Sequence, residues 1–289
     1  MQITGLTRVF VILGDPVAQV RAPELFNHLF RRHGVDAVLV PAEVAAAELA
    51  HFVSGTLAAR NVDGFWVTIP HKAALLPLLK SCDERGRVAQ AVNAVRRDAD
   101  GSLHGALFDG LGFVRALDHF GVACAGARAL VVGVGGAGSA IAVSLAERGV
   151  AELALHDVAP AAAAAVAQRI RSAWPSANVR VADTSDPAGF DLVVNATPLG
   201  LRANDPLPFD AARVAPGAAV VDILMKNQPT PLLLACQRQG ARVFPGYEMM
   251  IQQASAYLDF FGLHALARTL EEDASEVRRL IHDTETKPA

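Results

Sequence analysis

Residues 129–149 read ALVVGVGGAGSAIAVSLAERG, an apolar strand, a turn with glycine at 133, 135 and 138, and an amphipathic helix. A GxGxxG turn between a strand and a helix is the setting in which the pattern means dinucleotide binding. The first glycine permits the tight turn, the second lets the backbone approach a pyrophosphate, and the third lets the helix lie close to the sheet. Helix N–H groups and the positive end of the helix dipole then face the phosphates, so Gly133, Gly135, Gly136, Ala137 and Gly138 are the candidate cofactor contacts. A glycine turn without a ligand is the bland alternative.

The next strand, ELALHD, ends at Asp157, 24 residues beyond Gly133. An acid about 20 residues past the first glycine accepts the adenosine ribose hydroxyls and repels a 2′-phosphate. The following segment, VAPAAAAAVAQR, offers no basic residue before Arg169. NAD is therefore expected ahead of NADP, and a simple helix-capping aspartate is the competing reading.

Around this unit, short β-rich runs (9–14, 37–44, 64–70) alternate with helical patterns, a βαβ rhythm that implies an α/β fold with mostly parallel sheets. A second series of strands begins near residue 127. We expect an N-terminal α/β domain over 1–109, completed by C-terminal helices in 247–289, and a Rossmann domain over 110–246. The alanine run 161–165 is read as a helix surface. At 289 residues and 52% hydrophobic, the chain has ample material for such cores. A net charge of −3 without like-charge runs argues against nucleic acid. No stretch has the length of a membrane span, and the early run VFVILG is too short for a secretory leader. Three cysteines without CxxC spacing and histidines without HxxxH pairs argue against a disulfide framework or a metal site, so the cytoplasm is the expected compartment.

A dinucleotide fold needs a chemical partner. Of 26 basic residues only four are lysines, and one of them, Lys72, follows the strand-ending Pro70 in VTIPHK. Asp109 sits at a turn just before a helix, in GALFDGLG. A lysine that takes an alcohol proton and an aspartate that bonds the same hydroxyl would suffice for alcohol oxidation. On spacing alone each is equally a surface or capping residue. His71 either tunes the neighbouring lysine or caps the turn.

The whole chain resembles the shikimate dehydrogenase family, in order from end to end. The family's GxPxxHSxSPxxHN segment reads GDPVAQVRAPELFN (14–27), GxNVTxPxK reads GFWVTIPHK (64–72), GAVNT reads QAVNA (90–94) and GxNTDGxG reads GALFDGLG (105–112). The nucleotide turn is GVGGAG (133–138), NATxxGM is NATPLGL (195–201) and GxxMLxxQ is GYEMMIQQ (246–253). The resemblance implies a substrate-binding first domain, a Rossmann second domain, and a last helix pair returning to the first. It carries catalysis onto Lys72 and Asp109, and substrate contact onto Thr68, Asn93 and Gln253. It places Asn195, Ala196, Thr197, Gly246 and Met249 at the cofactor.

The departures lie where the family holds its substrate. Val20 and Ala22 stand for the two carboxylate-binding serines, Trp66 for the asparagine of NVT, Leu107 and Phe108 for the NT before the aspartate, and Met225 for a tyrosine. Trp66 is read as a pocket wall rather than a core residue. Arg21, between the replaced serines, meets either an anion or water. The resemblance thus implies an oxidoreductase acting on a small hydroxylated, carbocyclic alcohol. The alternatives are a genuine shikimate or quinate dehydrogenase and a catalytically silent NAD-binding sensor. The expected partner is a small-molecule substrate; a homodimer is a candidate assembly.

Overall fold

The structure is a computed structural model, and it describes residues 2–285 apart from 203, 226 and 227. The fold is α/β, in two compact units. The first comprises the residues up to Phe108 together with those from Ala254 onward, and the second runs from Asp109 to Gln253.

The first unit contains β1 (Arg8–Gly14), α1 (Ala22–Arg32), β2 (Ala37–Glu43), α2 (Leu49–Thr56), β3 (Val62–Val67), β4 (Ser81–Cys82), α3 (Glu84–Ala89), β5 (Ala94–Arg97) and β6 (Leu103–Ala106). Its sheet has the order β2-β1-β3-β5-β6-β4. The first three strands are parallel, as the βαβ rhythm predicts, but β5 runs antiparallel to both β3 and β6. The sheet is thus mixed. Strands β5 and β6 form a hairpin whose turn is held by Asp98 N–H donating to Ser102 O, with Gly101 at a positive φ of 84°. Helix α1 has proline and Glu24 in its first turn and Arg31 and Arg32 in its last, matching the helix dipole, and buries Leu25, Phe26, Leu29 and Phe30.

The second unit begins with α4 (Asp109–His119), so Asp109 is the first residue of the helix rather than part of the preceding turn. It continues through β7 (Arg128–Val132), α5 (Gly136–Glu147), β8 (Glu152–His156), α6 (Pro160–Ala173), β9 (Val179–Val181), β10 (Leu192–Asn195), β11 (Ala219–Asp222), α7 (Pro231–Arg238) and β12 (Arg242–Pro245). Every pairing in its sheet is parallel, in the order β9-β8-β7-β10-β11-β12. This is the doubly wound dinucleotide-binding order, with its switch point between β7 and β10. The alanine run lies in α6 but is not all surface, because Ala163 is fully buried.

Helix α8 (Tyr247–Phe260) contributes its residues through Gln253 to the second unit and the rest to the first. Helices α9 (His264–Glu272) and α10 (Ser275–Glu285) follow within the first unit. The return expected for 247–289 extends to 286–289, which lie outside the described residues. Among the described residues, no helix is long and apolar enough to cross a membrane, and no cluster of histidine, cysteine and acidic side chains could hold a metal ion.

Candidate active site

In the first unit the candidate residues gather at the end of β3. Thr68 N–H donates to Leu13 O at 2.9 Å, and Thr68 O accepts from His71 N–H at 3.0 Å, forming the turn that carries Lys72. Val92 N–H donates to Lys72 O at 2.9 Å, and Asn93 O accepts from Val67 N–H at 2.7 Å. Thr68, Lys72 and Asn93 therefore share one hydrogen-bonded framework. The Asn93 side chain accepts the Phe108 N–H at 2.9 Å, fixing the backbone immediately before Asp109.

Trp66 is not an open wall. It is 1% exposed, stacked on Phe261 at 4.2 Å and on Tyr257 at 5.4 Å, with Phe10 and Phe26 at its edges. Its indole N–H makes no hydrogen bond. Tyr257 went unnoticed in the sequence. Its hydroxyl donates to Asn93 O at 3.1 Å, and its ring abuts Phe108 at 5.1 Å. The available signal was an aromatic residue inside a helix, AYLDFF, which has no chemical spacing of its own. Val20 and Ala22 are half-buried. Arg21 does not point to water alone: its guanidinium reaches Ile281 O at 3.5 Å and Glu24 at 3.7 Å.

In the second unit, α4 collects the others. A Cβ on Gly110 would fall 2.1 Å from Ala140 O of α5, and one on Gly112 would fall 2.3 Å from Met249 O and 2.9 Å from Gln253 Cβ of α8. Two glycines thus let α5 and α8 close on the helix that begins with buried Asp109. Gly246 allows a similar approach, since a Cβ there would meet the Ile223 backbone at 2.5 Å.

The nucleotide turn has the geometry its glycines require. Gly133 has φ of 91°, and a Cβ there would lie 2.8 Å from Ala196 and Thr197 across the switch point; a Cβ on Gly138 would collide with Gly133 O at 1.9 Å. Nothing lies within 4 Å of the Cβ position on Gly135. Close packing below and open space above suit the approach of a pyrophosphate. Asp157 accepts Val134 N–H at 2.7 Å and Ala159 N–H at 2.9 Å, so it both braces the glycine turn and fixes the backbone just before α6.

Asn195 is fully buried and serves its own loop. Its Oδ1 accepts from Thr197 N–H at 3.0 Å and Thr197 Oγ1 at 2.7 Å, while Nδ2 donates to Asp222 at 3.0 Å. Burial pushes the Asp222 carboxyl above the usual range, against bonds from the Thr230 hydroxyl, Leu224 N–H and Asn195 amide.

A parallel six-stranded sheet in this order, with an open glycine turn at its switch point, defines a dinucleotide-binding fold. Residues 12–95 match the model of the shikimate dehydrogenase substrate binding domain. A shikimate dehydrogenase (NADP(+)) from Rubrobacter xylanophilus is 38% identical over 255 residues, 87% of this chain and 89% of the relative. The quinate dehydrogenase of Corynebacterium glutamicum, solved in complex with NAD, aligns with a TM-score of 0.83 and 28% identity over 96% of this chain and 99% of its own. A ligand-free 5-ketofructose reductase from a Gluconobacter species aligns at 0.80 and 28%, covering 92% and 98%. The chain belongs to the shikimate dehydrogenase family and is an NAD(P)-dependent oxidoreductase of CH–OH groups.

Proposed function

We propose that this enzyme exchanges a hydride between NAD and a secondary alcohol of a small, uncharged, hydroxylated ring compound. The observation that carries the reading is Trp66: where the family places an asparagine, this chain has an indole stacked on Tyr257 and Phe261, while the turn bearing Lys72 keeps its framework. With Val20 and Ala22 also apolar, a substrate carboxylate would lose its charged-acceptor bonds, each contributing about 1.5 to 3 kcal/mol. The relative acting on 5-ketofructose supports an uncharged polyol-like substrate on this fold.

In this reading the residues up to Phe108, with the returning helices, form the substrate domain, and the second unit binds the dinucleotide through Gly133, Gly135, Gly136, Ala137, Gly138, Asp157, Asn195, Thr197, Gly246 and Met249. The nicotinamide supplies the hydride acceptor. The Lys72 amine takes the hydroxyl proton as the C–H bond breaks, and in reduction its ammonium returns that proton to the forming alkoxide. Asp109 accepts a hydrogen bond from the substrate hydroxyl, and Thr68, Asn93 and Gln253 hold the ring. NAD is preferred because a 2′-phosphate at the Asp157 carboxylate would meet negative charge, then Val158, 97% exposed, and no basic side chain before Arg169. The working compartment is the cytoplasm, and the assembly a homodimer, to be measured by light scattering.

The test is an absorbance screen for NADH with shikimate, quinate and neutral cyclic polyols such as myo-inositol. Neutral substrates are expected to turn over faster than shikimate. A second reading, a genuine shikimate dehydrogenase, is favoured by the names of the curated relatives, and shikimate as the fastest substrate would establish it.

A further inference from the structure

We infer that His71 is a positioning residue for Lys72, an inference that rests on the acid–base role proposed for that lysine. His71 is fully buried, and its Nε2 lies 2.7 Å from the Val44 carbonyl oxygen. A carbonyl only accepts, so Nε2 carries the proton and Nδ1 is the bare nitrogen; Nδ1 makes no hydrogen bond. The imidazole does not cap its own turn. It is a strut between two chain segments 27 residues apart.

The strut closes a continuous frame. Val44 N–H donates to Gly14 O at 3.0 Å, tying the chain just beyond β2 to the end of β1. From the same end of β1, Leu13 O accepts Thr68 N–H at 2.9 Å, and Asp15 N–H donates to Ile69 O at 3.0 Å. Thr68 O accepts His71 N–H at 3.0 Å, and Lys72 O accepts Val92 N–H at 2.9 Å. The turn is thus held by β1 on one side and by residue 92 on another, and the His71 imidazole supplies its bond to the segment after β2. Gly14 shows how little slack remains, since a Cβ there would lie 2.5 Å from Thr68 Cγ2. Without the imidazole donor, the segment that sets the direction of Lys72 loses its bond to the chain after β2, and the Val44 carbonyl is left without this bond. A displacement of about 1 Å in a reacting group costs on the order of 10²-fold in rate.

The experiment compares Lys72→Ala, His71→Leu, His71→Asn and His71→Gln in the full-length enzyme, using the fastest alcohol among shikimate, quinate and myo-inositol, with thermal midpoints measured alongside. We expect kcat to fall about 10- to 100-fold in His71→Leu with KM for NAD within about threefold of the parent. His71→Asn, whose amide falls short of the Nε2 position, should match leucine, and His71→Gln, whose amide reaches it, should return kcat to within about fivefold of the parent. If the leucine variant does not fold, the asparagine–glutamine pair decides the matter. Near-parental kcat in Lys72→Ala, or no turnover of any of the three alcohols by the parent, overturns the acid–base reading and this inference with it. Loss of turnover in Lys72→Ala, combined with parental kcat in His71→Leu or His71→Asn, or with glutamine no better than asparagine, overturns the inference alone.

Discussion

The carboxylate of Asp157 accepts the backbone N–H of Val134 at 2.7 Å, so the acid expected at the cofactor ribose also holds the glycine turn. Asp157→Ala should therefore have two effects. It should narrow the preference for NADH over NADPH by relieving repulsion, and it should weaken NADH binding by loosening the turn. Fluorescence titration of both dinucleotides measures this. Tighter binding of NADPH than NADH by the parent would show that Asp157 does not set the preference.

Lys72→Ala is expected to lower turnover by about 10² to 10⁴, the usual contribution of a positioned acid–base group, with dinucleotide affinity nearly unchanged. Asp109→Asn should behave alike. Steady-state kinetics on the best alcohol from the screen, paired with NADH titration, separates the two effects; near-parental kcat in either variant would remove that residue from the mechanism.

Replacing two hydroxyl donors by Val20 and Ala22 should remove roughly 3 to 6 kcal/mol of carboxylate binding, or about 10² to 10⁴ in kcat/KM for shikimate. Val20→Ser combined with Ala22→Ser should raise shikimate turnover before any other pair of changes does. A parent kcat/KM for shikimate above about 10⁴ M⁻¹s⁻¹ contradicts this. Arg21 is poorly placed to compensate, because its guanidinium is engaged with Ile281 O and Glu24.

Burial raises the Asp222 pKa, so the folded protein retains this proton at a pH where the unfolded chain has lost it. The sign follows from linkage: stability from this group is fully present below the ordinary carboxylate value of about 4 and is lost as pH rises through the raised value. Asp222→Asn keeps an oxygen for Asn195 and Leu224 and removes the ionisation. Thermal midpoints from pH 4 to 8 should therefore shift in favour of the variant as pH rises, then level. A pH-independent difference between the two proteins would exclude the effect.

The nucleotide turn was legible because Gly133, Gly135 and Gly138 act locally, through backbone angles and approach distances that a short segment encodes. The Lys72 segment was legible through its resemblance to a family pattern, whereas spacing alone left it open. Trp66 was read as a wall because its position was known but its neighbours were not. Phe10, Phe26, Tyr257 and Phe261 come from distant stretches, and only folding brings them around the indole. The same reason hid the contacts from Tyr257 to Asn93 and from His71 to Val44. Strands β5 and β6 are four residues each, too short for alternation to declare them. The unit boundary, expected after 109 and again at 247, falls in the structure at 108 and within α8.

The chain has two tryptophans, and each compact unit contains one: Trp66 in the first, Trp174 in the second. Trp66 is sealed among aromatic rings, while Trp174, at the C-terminal cap of α6, is half-exposed. The protein therefore carries its own pair of spectroscopic reporters, a blue-emitting indole and a redder one. Replacing either with phenylalanine leaves a single tryptophan, whose selectively excited emission follows the melting of one unit without labelling the other.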